Sequence, residues 1–250
     1  MPQPPLPQWT LTAEQFAAAW FGTGLDRLPF PFRFTSRFPG LHEYQDYQRR
    51  FRRELDADEH LHLKRALRVL GQPDWRIELS GLDHRRRGAV TEMRAIGCAS
   101  RSGTGVIAMQ NPGPDGGKVR LRRCRSDHLA TELVRLLPDP PAGTAAERSY
   151  LLGDLEDDPT DPFGQDSEAR ADYRRFWRQS CTTRGTLAVL LGPRNAEPLR
   201  TGKLRWIDTA EGRYAETPAN RALMIRPATS ATITRYLDEA IIRGRARAGA

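Results

Sequence analysis

The feature that most constrains the fold is an order of segments that occurs twice along the chain. In the first half, Trp75, Ile77 and Leu79 alternate with polar residues, a pattern typical of a strand. More strand-like runs follow, and then a leucine-rich helix that ends at Pro138. The second half repeats the plan and finishes with an apolar-striped helix over about 230–242. Predicted strands lie at 75–80, 90–99, 106–110, 118–123, 186–191, 203–208, 212–216 and 223–226.

Short turns join these strands, which favours an antiparallel sheet over a doubly wound one. We therefore predict an α+β protein with a central antiparallel sheet, helical bundles and two pseudo-symmetric lobes. The whole chain is expected to form one domain. Its N-terminal lobe covers 1–140, a linker rich in Pro, Gly, Asp and Glu covers about 141–165, and its C-terminal lobe covers 166–250. An acidic run lies at 154–158, and a helix is predicted over 167–179.

Three helices are predicted before the first of these strands. Thr12 and Gln15 have the spacing of a capping box, with Leu11 placed to pack on Phe16. A second helix is predicted over 44–55. Asp56 and Glu59 are expected to cap the third. Its apolar stripe consists of Leu63, Ala66, Leu67 and Leu70.

The charge of the chain is strongly basic, at +8 from 39 basic and 31 acidic residues. Three of the basic residues are lysines and 36 are arginines, spread over the chain and interleaved with acids. A nucleic-acid-binding protein is the alternative that this charge suggests. The residues that support it are Arg120, Arg122, Arg123 and Arg125. Strand alternation would place Arg123 on the opposite face, which dilutes such a patch.

The sequence lacks the motifs of several functional classes. It has no secretory signal pattern, no apolar run of the ~20 residues that a membrane helix needs, and no phosphate-binding, GxSxG or HExxH motif. Cys98, Cys124 and Cys181 are far apart, as expected of reduced thiols. His60 and His62 are two apart on a predicted helix and cannot share a metal. We therefore expect a soluble cytoplasmic protein without catalytic residues, metal or cofactor.

The most informative segment, 204–214, predicts a β-hairpin. Asp208 is expected to accept backbone hydrogen bonds in an Asx-turn, and Gly212 to adopt a positive φ. Trp206 and Tyr214 are expected to meet across the strand pair. A structural role for Asp208 is favoured over a catalytic one.

This hairpin, with the sequence WIDTAEGRY, resembles the WxDTxxGRY element of the EspG family, the cytosolic specificity chaperones of type VII (ESX) secretion in actinobacteria. Four further segments resemble motifs of that family in the same order along the chain. They are the opening at 15–29, LVRLLPDPP at 133–141, RGTLAV at 184–189 and IRPA at 225–228. The resemblance covers nearly the whole sequence.

The resemblance implies a two-lobed α+β fold and a non-enzymatic function. Family members bind a folded PE–PPE-type helical heterodimer, keep it soluble and deliver it for export. Their contacts come from a loop after the first strand of the N-terminal half and from helices of the C-terminal half. Here the loop, 81–88, is short. The implied partner-binding residues are Asp83, His84, Arg85, Arg86 and Arg87 in the loop, and Tyr173, Arg174 and Trp177 in the helix.

Two readings of the helix remain open. Arginine and aromatic side chains suit an interface, but core packing is favoured for Phe176 and Trp177. The run of arginines over 85–87 points to an acidic or helix-tip protein surface.

Overall fold

The computed structural model describes residues 7–86, 88–155 and 167–248. Seven α-helices are found there: α1 (Ala13–Phe21), α2 (Leu41–Leu55), α3 (Leu61–Gly71), α4 (Leu129–Val134), α5 (Leu152–Leu155), α6 (Glu168–Arg178) and α7 (Ser230–Ala248). The ten strands are β1 (Gln8–Leu11), β2 (Trp75–Asp83), β3 (Thr91–Ala99), β4 (Thr104–Gln110), β5 (Val119–Arg125), β6 (Arg148–Leu151), β7 (Thr183–Leu191), β8 (Leu199–Thr209), β9 (Gly212–Ala219) and β10 (Ala222–Pro227).

These strands form one sheet in the order β1-β5-β4-β3-β2-β7-β8-β9-β10-β6, and each neighbouring pair is antiparallel. The order of the first five strands is repeated by the last five, read outward from the β2–β7 pair at the centre. An approximate two-fold axis therefore passes between β2 and β7. The predicted α+β class, antiparallel sheet and pseudo-symmetry are confirmed.

The two faces of the sheet are covered differently. On the back face, α4 and α7 pack over the central strands and enclose the largest apolar core. On the front face, α1, α2 and α3 cover the N-terminal half, and α6 covers the C-terminal half. The front face of the central strands lies between these two helical layers and remains partly exposed.

The N-terminal helices confirm the capping box, with one correction for α3. The Thr12 amide donates to Gln15 Oε1 at 2.9 Å, and the Gln15 amide donates to Thr12 Oγ1 at 3.2 Å. The apolar stripe of α3 is buried as predicted. Asp56 and Glu59 do not cap this helix, because a 3₁₀ turn over Asp58–His60 leads into it and Asp56 pairs with Lys64 at 2.8 Å.

Both edge strands of the sheet, β1 and β6, were absent from the sequence prediction. Each has only four residues, too few to show a strand period clearly. β6 pairs with β10 and, together with α5, lies inside the segment predicted as a linker over 141–165. Part of that segment, 156–165, lies outside the described residues, as does most of the acidic run at 154–158.

The β8–β9 hairpin forms as predicted, but two of its details differ. Trp206 pairs with Ala215 and Ile207 pairs with Tyr214, so Trp206 packs into the back core and Tyr214 into the front one. The two aromatic rings therefore do not meet. The turn is held by Thr209, whose Oγ1 accepts from the Glu211 amide at 3.1 Å, and not by an Asx-turn at Asp208.

The Asp208 carboxylate instead forms a fully buried ion pair with Arg213. Arg213 Nε donates to Asp208 Oδ1 at 2.6 Å and Nη2 donates to Oδ2 at 2.8 Å. Thr183 of β7 donates its hydroxyl to the same carboxylate. Arg213 also donates to the carbonyl oxygen of Pro138 at 2.6 Å and to Ser230 Oγ at 3.2 Å. The pair thus connects three strands with the chain after α4 and the start of α7.

The two glycines at the centre of the sheet have a steric role. Gly81 and Gly185 are register partners in the β2–β7 pair. A Cβ atom on Gly185 would overlap the Trp206 indole and the Ser80 carbonyl oxygen. The absence of side chains at this point leaves room for the Trp206 indole against the middle of the sheet.

Replacing the buried carboxylate tests how far the fold depends on the ion pair. Asp208→Asn removes the negative charge and leaves the Arg213 guanidinium uncompensated in the interior. We expect the free energy of unfolding to fall by about 3–5 kcal/mol in urea titrations. Asp46→Asn, at the exposed Asp46–Arg49 pair, is the matched control and should cost less than about 1 kcal/mol. Equal losses in the two variants would contradict this account.

Candidate functional site

A groove of about 460 Å³ crosses the partly exposed front face of the central strands. Its floor is formed by β2 and β7, one side by the segment 30–33, and the other by Trp177 of α6 together with side chains from β8. Four arginines and one glutamate line it, namely Arg33, Arg94, Arg184, Arg205 and Glu92. The groove is therefore both concave and cationic.

Six polar side chains form a row of register partners, of which the four central ones line the groove and the two end ones are buried. Ser80 of β2 is the register partner of Thr186 of β7, and this pair lies on the central strands. Moving outward from this pair, successive register partners on the same face are Arg94 and Gln110 on one side, and Arg205 and Glu216 on the other. We call these six residues the polar row. The approximate two-fold axis relates its two halves, arginine to arginine.

The N-terminal side of the groove is fixed by Gln110. Its Oε1 accepts from the Arg33 amide at 2.9 Å and its Nε2 donates to the Arg33 carbonyl oxygen at 2.6 Å, which attaches the segment 30–33 to β4. Arg94 donates to the same Oε1 at 3.3 Å and forms an ion pair with Glu92. Burial, followed by the charge of Arg33, lowers the pKa of Arg94.

The C-terminal side is fixed by a cluster around Glu216. Arg205 stacks on Trp177, with its Cζ atom 3.7 Å from the ring centroid, and donates to Tyr173 Oη at 2.7 Å. Tyr173 Oη and Trp177 Nε1 donate to Glu216 Oε2 at 2.8 and 3.0 Å. Burial, followed by the hydrogen bond to Glu216, raises the pKa of Tyr173. These contacts hold the Arg205 guanidinium in one place beside the groove.

The predicted loop lies at the end of the groove floor. Asp83 is the last residue of β2, and its carboxylate accepts hydrogen bonds from the Arg85 amide at 2.9 Å and from the Arg85 guanidinium. The Arg85 guanidinium lowers the pKa of Asp83. The His84 amide donates to the Thr182 carbonyl oxygen at 2.7 Å, which places the loop beside the chain that joins α6 to β7. Arg86 is exposed, and Arg87 lies outside the described residues.

The predicted helix residues have different surroundings. Tyr173 and Trp177 are part of the Glu216 cluster, and Trp177 also lines the groove. Phe176 and Trp177 are 7% and 8% exposed, so core packing is their observed environment. Arg174 is exposed on α6. The structure thus brings the loop and the end of α6 together, while any role of these residues in binding a partner stays a prediction.

Sequence reasoning missed the residues that define the groove. Arg94 and Arg205 lie on strands that were correctly predicted. Strand alternation places each arginine on a face that packs inward, and this was the available signal for a polar site. The pairing of Ser80 with Thr186 had no such signal, because it depends on the contact of two distant strands. Arg184 was seen only as part of a family motif.

Other chemistry is sparse in the parts of the chain that the structure describes. These parts contain no group of three or more His, Cys, Asp or Glu side chains that could hold a metal. Burial raises the pKa of Cys98 and raises that of Cys124 to about 11. Over residues 7–86, 88–155 and 167–248, no helix has the length and apolar character to cross a membrane.

Three of the four arginines behind the nucleic-acid alternative already have partners on the protein. Arg122 and Arg125 form ion pairs with Glu132 and Asp127, each at 2.5 Å. Arg120 donates to the side chain of Asn111 at 3.2 Å. The structure therefore offers little support for a phosphate-binding patch on β5.

Comparison with known proteins identifies the family. The sequence model of the EspG family matches residues 12–239. The chain belongs to the EspG family. No curated protein matches it. One similar solved structure is the type VII secretion system chaperone EspG5 of Mycobacterium tuberculosis, in complex with a PE25–PPE41 dimer. That match has a TM-score of 0.56 and 12% identity, and covers 94% of this chain and 96% of EspG5.

The family assignment confirms the resemblance that five sequence motifs suggested, and the EspG5 match confirms the fold. At 12% identity the two proteins share an architecture over nearly their whole lengths.

The Glu216 cluster can be tested through Tyr173. Tyr173→Phe removes one donor to Glu216 and one acceptor for Arg205, and should lower the free energy of unfolding by about 1 kcal/mol at pH 7. Because the folded pKa of Tyr173 is raised, its contribution is present below the ordinary tyrosine pKa of about 10 and is lost as the pH rises through the folded value. Urea titrations at pH 8 and above pH 10 measure how much free energy of unfolding each protein loses between the two pH values. This loss should be smaller for the variant than for the wild type. Identical losses would contradict this.

Proposed function

We propose that this EspG-family protein is a cytosolic chaperone of a type VII secretion system that binds a PE–PPE-like helical heterodimer. It keeps the heterodimer soluble and directs it to export without catalysing a reaction. The observation that carries the proposal is the open groove on the front face of the central strands. It occurs in a family one of whose members, EspG5, was solved with a PE25–PPE41 dimer.

The groove has the composition of a protein-binding surface. Helices cover the sheet on both sides of it, whereas Ser80, Leu82 and Thr186 on its floor stay partly exposed. Phe30 lies on its rim and is 61% exposed. Arginine next to aromatic and apolar surface is typical of interface centres. The rounded tip of a helical bundle is a suitable shape for such a concave strip.

The loop after β2 would extend this surface. Arg86 is exposed there, and so is Val90, at 59%. Arg85 is held by Asp83 in a defined orientation, so a partner would meet a fixed guanidinium. On this proposal the loop contributes Asp83 to Arg87, and α6 contributes Tyr173, Arg174 and Trp177.

The cysteines and arginines bear on two other parts of the proposal, the absence of catalysis and the cytosolic location. Burial keeps the pKa of all three cysteine thiols above its ordinary value, which makes them poor nucleophiles. All three are free, as suits a reducing compartment. The arginines near the groove have structural partners, chiefly Glu92 and Glu216.

Complex formation is the direct test of the proposed function. The full chain would be co-expressed with each PE–PPE pair encoded in the same genome, and each mixture analysed by size-exclusion chromatography with light scattering. We expect a stable complex with at least one pair and a lower solubility of that pair when expressed alone. Failure to bind any pair would overturn the proposal.

The contribution of the loop can be tested within that complex. Changing Arg85, Arg86 and Arg87 together to Glu should weaken binding, because three positive charges at the proposed contact become negative. Calorimetric titration would measure the dissociation constant. The control changes Arg49, Arg50 and Arg53 of α2 to Glu, which alters net charge equally away from the groove. If both triple variants bind alike, the loop is not part of the contact.

A further inference from the structure

The floor of the groove presents hydrogen-bond donors that the protein itself does not use. In the described residues, the side-chain hydroxyls of Ser80 and Thr186 form no hydrogen bond, although both lie in the polar row and are partly exposed. The two hydroxyls are on adjacent strands at the same register position. A ligand lying on the floor could therefore receive a hydrogen bond from each.

Arg184 differs from the other arginines around these hydroxyls. It lies two residues before Thr186 on the same face of β7 and donates to the carbonyl oxygen of Trp177 at 3.4 Å. No carboxylate of the described chain lies within ion-pair distance of it. Arg94 and Arg205, by contrast, are held by Glu92 and Glu216. Arg184 thus supplies a positive charge without a carboxylate partner in the groove that the two available hydroxyls also line.

From this arrangement we infer that the centre of the groove is a carboxylate-binding site, which takes an Asp or Glu side chain from the tip of the secreted heterodimer. Arg184 forms the ion pair, and Ser80 and Thr186 donate hydrogen bonds to the carboxylate. Arg94 and Arg205, related by the two-fold axis, flank the site, and each is held in an ion pair with a glutamate. The inference rests on the proposed function and specifies the chemistry of the partner at this site.

The charge of the groove is what favours a carboxylate over an amide or a hydroxyl. Arg33 and Arg94 share Glu92, and Arg205 pairs with Glu216. The four arginines therefore outnumber the two glutamates, and Arg184, which has no carboxylate partner in the described residues, leaves a positive potential at the centre. The site is partly shielded from water, so an ion pair supported by further donors is stronger there than on an open surface. The exposed aromatic ring of Phe30 on the rim can pack against apolar residues next to the acidic one.

The test uses single variants of the full chain and the PE–PPE heterodimer that the wild type binds. Arg184→Glu should weaken binding at least about tenfold in calorimetric titrations, because it places a negative charge opposite the partner's carboxylate. Thr186→Val keeps the shape of the side chain and should weaken binding about threefold to tenfold. Arg65→Glu, at an exposed position of α3 outside the groove, makes the same charge change and should alter the dissociation constant less than twofold.

Charge exchange identifies the partner residue. Each Asp and Glu at the heterodimer tip is changed to Lys, one at a time, and titrated against the Arg184→Glu chain. We expect one position at which Lys weakens binding to the wild type and restores it to Arg184→Glu. Melting curves establish that each variant is folded. If Arg184→Glu does not fold, Arg184→Gln takes its place.

The outcomes separate this inference from the proposed function. If the wild type binds no heterodimer, the proposed function is wrong and the site has no partner to act on. If the wild type binds but the Arg184 variants bind as tightly as Arg65→Glu, the chaperone function stands and the carboxylate site is wrong. Restoration at no tip position would likewise overturn the site.

Discussion

The buried ion pair between Asp208 and Arg213 is the contact on which the arrangement of the two lobes depends. Two charges in the interior are tolerated only when their remaining hydrogen-bonding groups are satisfied. Here Thr183, Pro138 and Ser230 supply those partners. They come from β7, the chain after α4 and the start of α7. One hydrogen-bonded centre thus fixes the elements that pack across the back of the central strands.

The ion-pair centre affects the groove because it is hydrogen-bonded to β7 on the back face of the sheet, opposite the groove. Thr183 is held by Asp208, and the next front-facing residues of β7 are Arg184 and Thr186. The close packing of Trp206 against Gly185 supports the same stretch of strand. These contacts hold β7 in place from the back face of the sheet. Such preorganisation reduces the ordering that binding requires.

The sequence predicted local structure well and long-range structure poorly. Apolar periodicity located α3 and most strands, and the WIDTAEGRY motif located the hairpin and the family. The structural role of Asp208 was predicted, but its partner was not. Asp208 and Arg213 come together only through the register of the hairpin, which the motif alone does not fix. The short strands β1 and β6 depend on pairing with β5 and β10 and have little signal of their own. The polar row depends on the register of six strands, and the Ser80–Thr186 pair at its centre joins distant segments.

The abundance of arginine has a different meaning once the structure is known. On β5 and around Glu216, arginines form ion pairs and stack on rings, and planar guanidinium groups suit both contacts better than an ammonium does. Net charge alone therefore says little about the partner. What distinguishes the groove is that approximate two-fold symmetry places Arg94 and Arg205 on either side of the same centre. Partners with similar helical tips would then be distinguished by the position of their carboxylate. A carboxylate at another position would leave the Arg184 guanidinium partly desolvated and unpaired.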